Sequence, residues 1–334
     1  MSSIRARGKR PIEYSILYTA TLCLLALGAV MVYSASSAES LLNGSQDPSF
    51  YLKRYVMFGL AGLVVLHLVS RYGLRLVRRL TTPLLLGAFA LTVAVMVPGV
   101  GVTVNGATRW LGAGPLQFQP SELLKLALIL YAVRLLAARP RSVMRLGDIV
   151  RPLLLVVGAA CALLMKQPDM GTALVISLAM GALLIAAGTP LRHLGLMGGC
   201  LTGLALLLTV VEPYRMARLT AFLDPFADPE KTGFQTVQAL TAIGSGGLFG
   251  VGLGESVQKI FYLPEAHTDM ILAIIGEELG LVGILGVVVL YAMIGYAGLR
   301  TAKAAADRYS KLLAVGITSL IVCQATLNFC AVLG

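Results

Sequence analysis

The chain has 334 residues, of which 57% are apolar and only 13% are charged. A soluble domain carries about a quarter charged residues, so this chain cannot cover a water-exposed surface with polar groups. Its 36 glycines are also typical of membrane helices. The composition predicts an integral membrane protein and excludes disordered, collagen-like, disulfide-stapled and secreted classes.

Nine apolar runs are long enough to cross, or nearly cross, a hydrocarbon core of about 30 Å. Backbone groups cannot stay unpaired in lipid, so each run is predicted to be helical. The expected fold is an all-α polytopic helical bundle, a single membrane domain over residues 1–334, whose first helix is not cleaved. The predicted spans are Ser15–Tyr33, Tyr55–Val69, Pro83–Val97, Leu123–Ala137, Pro152–Met165, Thr172–Ala187, Leu194–Val211, Met270–Leu299 and Leu312–Gly334.

The basic residues predict the orientation of the bundle. With the N-terminus in the cytoplasm, 18 of the 27 Lys and Arg residues fall on the inner side, as the positive-inside rule requires. Only 3 of the 16 acidic residues lie there. The net charge of +11 is therefore explained by topology, and nucleic acid is not expected as a partner.

Several chemistries are excluded by spacing. The five cysteines lie inside apolar runs at no zinc or redox spacing, and the three histidines are far apart in sequence. The glycine-rich segment GSGGLFGVGLGES (244–256) follows no predicted strand and lacks a P-loop lysine, so it is a poor nucleotide site.

Two outer loops, 98–122 and 212–269, hold most of the remaining polar residues. The first contains Arg109 and Trp110 and leads through QPSELLK into a helix, where Glu122 and Lys125 are three residues apart on one face. An interfacial tryptophan, a helix cap and a local ion pair would also explain this segment. Asp169 begins another helix, where capping alone would suffice.

The segment QKIFYLPEAHTDMILAIIGEELG (258–280) is the strongest candidate for a site. Glu265, His267 and Asp269 stand at the mouth of the eighth span. At 100° per residue, Glu277 shares the helix face of Asp269, while Glu278 points away. Ionisable groups in or beside membrane helices are costly and mark functional sites by default.

An outer carboxylate among outer cations suits the transfer of a sugar from a polyprenyl diphosphate. Asp269 would act as the base for the acceptor hydroxyl. The diphosphate leaving group needs charge neutralisation by cationic side chains or a metal. The candidate cations are Arg109, Lys125, Arg215, Arg218 and Lys259.

Five ordered segments resemble the SEDS family (shape, elongation, division, sporulation) of bacterial peptidoglycan glycosyltransferases. They are NGATRWLGAGPLQFQPSE, QPDMGTALV, EPYRMARLTAFLDPFADP, GGLFGVGLGESVQKIFYLPEAHTD and IIGEELGLVG. YLPEAHTD followed by GEELG is more similar to the division branch than to the elongation branch, and a sporulation member would look much the same.

The resemblance implies polymerisation of lipid II at the outer face of the bacterial cytoplasmic membrane, at the division septum. It implies a class B penicillin-binding protein and other division proteins as partners, besides lipid II and membrane lipids. Asp269 matches the family's essential aspartate, and Arg109, Lys125 and Arg218 match its outer cations. Gln119, Glu122 and Asp169 would shape the cavity, with Trp110 near the lipid.

Other expectations remain open at this point. A divalent cation, Mg²⁺ or Mn²⁺, could assist at the diphosphate, although no metal ligand set is evident.

Family members usually have ten spans and a late loop like PFISYGG, neither of which this sequence reaches, so a C-terminally truncated member is expected. A lipid II flippase and a non-catalytic division scaffold are the alternative functions.

Overall fold

The computed structural model describes residues 11–42, 47–104, 106–112, 116–211, 213–260 and 262–334. Side chains at 38–42, 142, 149–150, 208, 211, 213–215, 218 and 221 are outside the description. A helix coincides with every predicted span. The helices are α1 (Ile12–Leu42), α2 (Phe50–Tyr72), α3 (Leu74–Ala94), α4 (Pro120–Ala138), α5 (Leu146–Ile149), α6 (Leu155–Lys166), α7 (Met170–Ala187), α8 (Leu191–Val211), α9 (Pro213–Leu223), α10 (Phe234–Gly246), α11 (Ile271–Ala304) and α12 (Arg308–Leu333).

Seven helical stretches of the described chain are long and apolar enough to cross a membrane, and one of them, Leu146–Lys166, consists of α5 and α6 with the turn between them. The two predicted spans outside this group have identifiable reasons. Helix α4 carries three charged residues, Glu122, Lys125 and Arg134, within its 19 residues. The other predicted span lies in α8, a helix of 21 residues (Leu191–Val211), of which Leu191–Leu207 is the stretch whose side chains are described without interruption. The polytopic all-α membrane fold is confirmed.

The two outer loops contain more regular structure than the sequence indicates. The first forms a small antiparallel hairpin, β1 (Val102–Val104) and β2 (Ala107–Trp110). Leu111 and Phe118 extend it by an isolated bridge. The second holds α9 and α10. The hairpin packs against α4, and α10 packs against α11 and α12.

Helix α4 lies at the centre of the larger apolar core. Eleven of its residues are buried, including Leu124, Leu128 and Leu136. They pack with buried residues of α3, α6, α7 and α12. A second core joins α1, α10 and α11 around Met31 and Ile274. Helix α2 contributes no buried residue to either core.

Arg308 closes the inner end of the larger core. Its guanidinium donates to the carbonyl of Leu136 at 3.3 Å and to that of Ala187 at 2.8 Å. These carbonyls belong to the last turns of α4 and α7, where no intrahelical donor is available. A cation is also favoured at the negative end of a helix dipole.

Helix α11 is interrupted at Gly280, and the glycine-rich segment 244–256 packs into the interruption. Gly280 has φ 68° and ψ −165°. The Leu281 N–H donates to the carbonyl of Gly247 at 2.9 Å, and the Val251 N–H donates to that of Glu277 at 2.9 Å. The glycines therefore permit a close backbone contact, which accounts for them without a nucleotide.

We expect Gly280→Ala to destabilise the protein by about 1–3 kcal/mol, because its Cβ would lie 2.4 Å from the Gly250 nitrogen at a positive φ. Thermal unfolding in detergent measures the loss. Gly286→Ala is the matched control, since a Cβ there meets nothing within 4 Å. Equal melting temperatures for the two variants would contradict the close contact.

Candidate functional site

Asp169 joins the outer ends of α4 and α7. Its carboxylate accepts from the Thr172 backbone N–H at 3.3 Å, which caps the first turn of α7. It also accepts from Gln119 Nε2 at 3.1 Å and from Ser121 Oγ at 3.2 Å, both at the start of α4. Asp169 is only 6% exposed. Its contacts give it a bracing role at the rim of the site.

Arg109 ties the hairpin to the same region. Its Nε donates to the carbonyl of Gln167 at 2.9 Å, and one terminal nitrogen donates to the carbonyl of Pro168. The Gln167 amide in turn donates to the carbonyl of Thr92 in α3 at 2.7 Å. The bonds from Arg109 to Gln167 and Pro168 use two of the five N–H donors of the guanidinium, so the others can bind an anion.

Lys125 is a buried cation at the outer end of α4. It is 3% exposed, and its ammonium donates to Glu122 Oε1 at 2.8 Å and to Gln324 Oε1 of α12 at 2.8 Å. The pairing expected from the spacing is present. Two of the three ammonium N–H groups have these partners, which leaves one direction for a substrate anion.

Asp269 occupies a tight turn immediately before α11. The Glu265 carbonyl accepts from the N–H groups of Thr268 at 3.1 Å and of Met270 at 3.2 Å. The Glu265 carboxylate accepts from the Thr268 hydroxyl at 2.7 Å, so Glu265 shapes the turn. The ring of His267 packs on Tyr51 of α2 at 4.1 Å. The Asp269 side chain is exposed at this corner.

Two amides of α12 connect Asp269 with Lys125. Asn328 Nδ2 donates to the Asp269 carbonyl at 3.2 Å, and Gln324 accepts from Lys125. Residues four apart lie on one face of a helix, separated by about 6 Å along its axis. One stripe of α12 therefore anchors both the candidate base and a candidate cation.

Glu278 and Lys259 form a buried ion pair beneath this corner. Their closest N–O distance is 2.8 Å, and their side chains are 0% and 5% exposed. The Lys259 ammonium also donates to the Gly254 carbonyl at 2.6 Å and to Ser34 Oγ of α1 at 3.2 Å. All three of its donors therefore have protein acceptors. Lys259 was expected among the available outer cations, but in this structure it is fully used inside the protein.

Glu277 also serves the fold in this structure. Its side chain is 3% exposed, and it accepts from the Ser256 hydroxyl and from the Val257 N–H at 3.1 Å. On a helical wheel Glu277 shares the face of Asp269. The loop 251–257 covers that position, so the carboxylate holds the loop and does not face the outer surface.

The remaining predicted residues are placed as follows. Trp110 is partly buried in β2, and the Arg54 guanidinium lies over its ring, 5.7 Å from the ring centre. Arg215 and Arg218 fall within α9, but their side chains lie outside the described residues. Four further residues of this region were not predicted from the sequence: Ser34, Ser256, Gln324 and Asn328. A signal existed for the two amides, since a polar group inside an apolar span is costly unless it is bonded.

Within the described residues, no three His, Cys, Asp or Glu side chains come together as a metal site. Magnesium, however, is commonly held by one or two carboxylates with substrate phosphates and water. Asp269 offers an exposed carboxylate to such a site. The divalent cation stays a prediction.

We expect loss of either partner of the buried ion pair to destabilise the fold by about 3–5 kcal/mol, because the other charge is left buried. Glu278→Leu and Lys259→Met are the single changes, and the double variant should lose less than the sum of the two. Melting temperatures in detergent measure this coupling.

The control for this cycle is Lys53→Met. Lys53 pairs with Asp47 at 2.7 Å, but both side chains are exposed, at 69% and 43%. Its loss should cost less than about 1 kcal/mol. Strictly additive effects of the Glu278 and Lys259 changes would refute the pairing.

The sequence is similar to a known family from Ser15 to the last residue. Residues 15–334 match the family model for FtsW, RodA and SpoVE, described as "Cell cycle protein". A probable peptidoglycan glycosyltransferase FtsW of Thioalkalivibrio sulfidiphilus is 45% identical over 93% of this chain and 78% of its own. The Geobacter sp. strain M18 protein of the same name is 40% identical over 93% and 84%. Stage V sporulation protein E of Bacillus subtilis is 37% identical over 96% and 87%.

Solved structures agree with the sequence relatives. A chain from a peptidoglycan synthase complex that coordinates polymerization and crosslinking matches with a TM-score of 0.75 and 30% identity, over 96% of this chain and 87% of that chain. The rod shape determining protein RodA of Thermus thermophilus matches with a TM-score of 0.66 and 30% identity, over 95% and 84%. The SEDS resemblance is thus confirmed, and the chain belongs to the FtsW, RodA and SpoVE family of cell cycle proteins.

Proposed function

We propose that this protein is a peptidoglycan glycosyltransferase that polymerises lipid II into glycan strands at the outer face of the cytoplasmic membrane during cell division. The main structural support is that one stripe of α12 contacts both groups: Asn328 bonds to Asp269, and Gln324 bonds to Lys125. Family membership and the glycosyltransferase names of the relatives support the reaction class.

The exposed Asp269 carboxylate is the base in this proposal. The acceptor hydroxyl oxygen attacks the anomeric carbon of the donor sugar, and its proton passes to Asp269. The bond from that carbon to the diphosphate oxygen breaks, and the polyprenyl diphosphate leaves with the electron pair. A base within hydrogen-bond reach of the hydroxyl contributes typically 10²–10⁴-fold to such a step.

Lys125 and Arg109 neutralise the diphosphate as it leaves. Each retains N–H donors beyond its protein contacts, and buried or half-buried cations act in a low dielectric where charge stabilisation is strong. Lys259 is unsuitable for this task, because Glu278, Ser34 and the Gly254 carbonyl use its three donors. A Mg²⁺ or Mn²⁺ ion at the diphosphate would add to the same neutralisation.

The partner in this proposal is a class B penicillin-binding protein, within the division machinery at the septum. Support comes from the similar chain that belongs to a peptidoglycan synthase complex coordinating polymerization and crosslinking. Sequence similarity to FtsW proteins supports division as the process.

We expect Asp269→Asn to abolish polymerisation of labelled lipid II by the chain co-purified with a class B penicillin-binding protein. The amide cannot take the acceptor proton, so activity should fall at least 10²-fold. Gel analysis of glycan strands measures it. Complex formation should stay unchanged, because asparagine keeps the size and shape of the side chain and the bond from Asn328 is accepted by the Asp269 backbone carbonyl.

The alternatives give different results in the same preparation. A flippase would move labelled lipid II across vesicle membranes without forming strands. A scaffold would bind its partner and form no polymer with either Asp or Asn at 269. Equal polymer from the parent and Asp269→Asn would remove Asp269 from the mechanism.

We expect Gln324→Leu to lower polymerisation about 10- to 100-fold by misplacing the Lys125 ammonium. The matched control is Thr326→Val, since the Thr326 hydroxyl is exposed and its described hydrogen bond, to the Val322 carbonyl, stays within α12. Initial rates at saturating lipid II measure the effect. Identical rates for the two variants would show that Gln324 does not position Lys125 for catalysis.

A further inference from the structure

A cavity of about 460 Å³ opens between the inner ends of α3 and α4. Its lining consists of Arg78, Arg79 and Thr82 of α3 and Arg134 of α4. The positive-inside rule places this end of both helices at the cytoplasmic face. The cavity is therefore on the opposite side of the membrane from Asp269 and belongs to no step of the proposed reaction.

Among the residues that the structure describes, a carboxylate neutralises one of the three arginines. Arg78 pairs with Asp307 at 3.2 Å, and its guanidinium lies 3.9 Å above the ring of Tyr309. Hydrogen bonds from the Ser310 hydroxyl and backbone N–H hold the pKa of Asp307 below its usual value, so this carboxylate is ionised at neutral pH.

The other two guanidiniums are left to face the cavity. Arg134 donates to the Thr82 hydroxyl at 2.8 Å. Arg79 makes no hydrogen bond or ion pair with any other described residue. Two unneutralised guanidiniums and a hydroxyl around one cavity form a donor set suited to a phosphate group, which arginine binds through paired N–H groups.

The surface beside the cavity indicates which class of phosphate-containing ligand the cavity would bind. Arg79, Leu86 and Val93 recur at intervals of seven residues, so they lie on one stripe of α3. Leu86 is 65% exposed and Val93 is 47% exposed. An apolar track therefore runs outward along α3 from the arginine cavity, as required for a ligand with a phosphate head and a hydrocarbon chain.

We propose that this cavity binds the phosphate headgroup of an anionic phospholipid from the inner leaflet, with an acyl chain along Leu86 and Val93. Basic pockets between membrane helices on the cytoplasmic side are suited to such headgroups. Arg79 and Arg134 bind the phosphate, and Asp307 keeps Arg78 in place at the edge.

The test uses the full chain in maltoside micelles and a fluorescently labelled phosphatidylglycerol, with fluorescence anisotropy as the readout. We expect saturable binding that weakens at least 10-fold in the double variant Arg79→Gln/Arg134→Gln. The control Arg71→Gln/Arg75→Gln removes the same charge from exposed inner-face positions that do not line the cavity. It should change the affinity less than 2-fold.

Competition distinguishes a lipid site from a site for free anions. Unlabelled phosphatidylglycerol should displace the probe, whereas equal concentrations of phosphatidylcholine or inorganic phosphate should not. The proposal is overturned by equal weakening in the two double variants, by displacement with inorganic phosphate, or by an unsaturable signal. Melting temperatures of both variants, expected to match the parent, show that a loss of binding is not a loss of fold.

Discussion

The buried ion pair between Lys259 and Glu278 is the interaction on which the outer half of the molecule depends. It joins α1, the segment before Asp269 and α11 at one point, through Ser34, Lys259 and Glu278. A buried charge without its partner costs several kcal/mol, so separation of any of these three segments is strongly disfavoured. The segment that leads to Asp269 is thus fixed at Lys259, only ten residues before it.

The other end of that polypeptide is held by α12. The Asp269 backbone is bonded to Asn328 while its side chain stays exposed, a combination that fixes the origin of the carboxylate and leaves it accessible. Lys125 is held from the same helix through Gln324. Rigid helices position reactive groups more accurately than loops do, and here a loop residue obtains its position from a helix.

Much of this arrangement could be predicted from local sequence. Apolar length placed each of the nine predicted spans on a helix of the described chain, and a spacing of three located the Glu122–Lys125 pair. The partners of Glu278 could not be read in this way, because Ser34 lies 244 residues away. The burial of Lys259 could not be predicted either. Its ammonium contacts the glycine-rich segment at Gly254, and the path of that segment depends on its backbone contacts with α11 near Gly280. Long-range pairing, not local propensity, decides which charges are accessible.

The number of charged residues near a membrane surface therefore exceeds the number that can bind a ligand. The decisive quantity is the number of donors or acceptors that the fold itself consumes. By this criterion Lys259 on the outer side is structural, as is Arg308, which caps two helices on the inner side. Lys125 on the outer side and Arg79 on the inner side keep donors that the described residues do not use. The same physical rule thus separates scaffold charges from ligand-binding charges on both faces of the bundle.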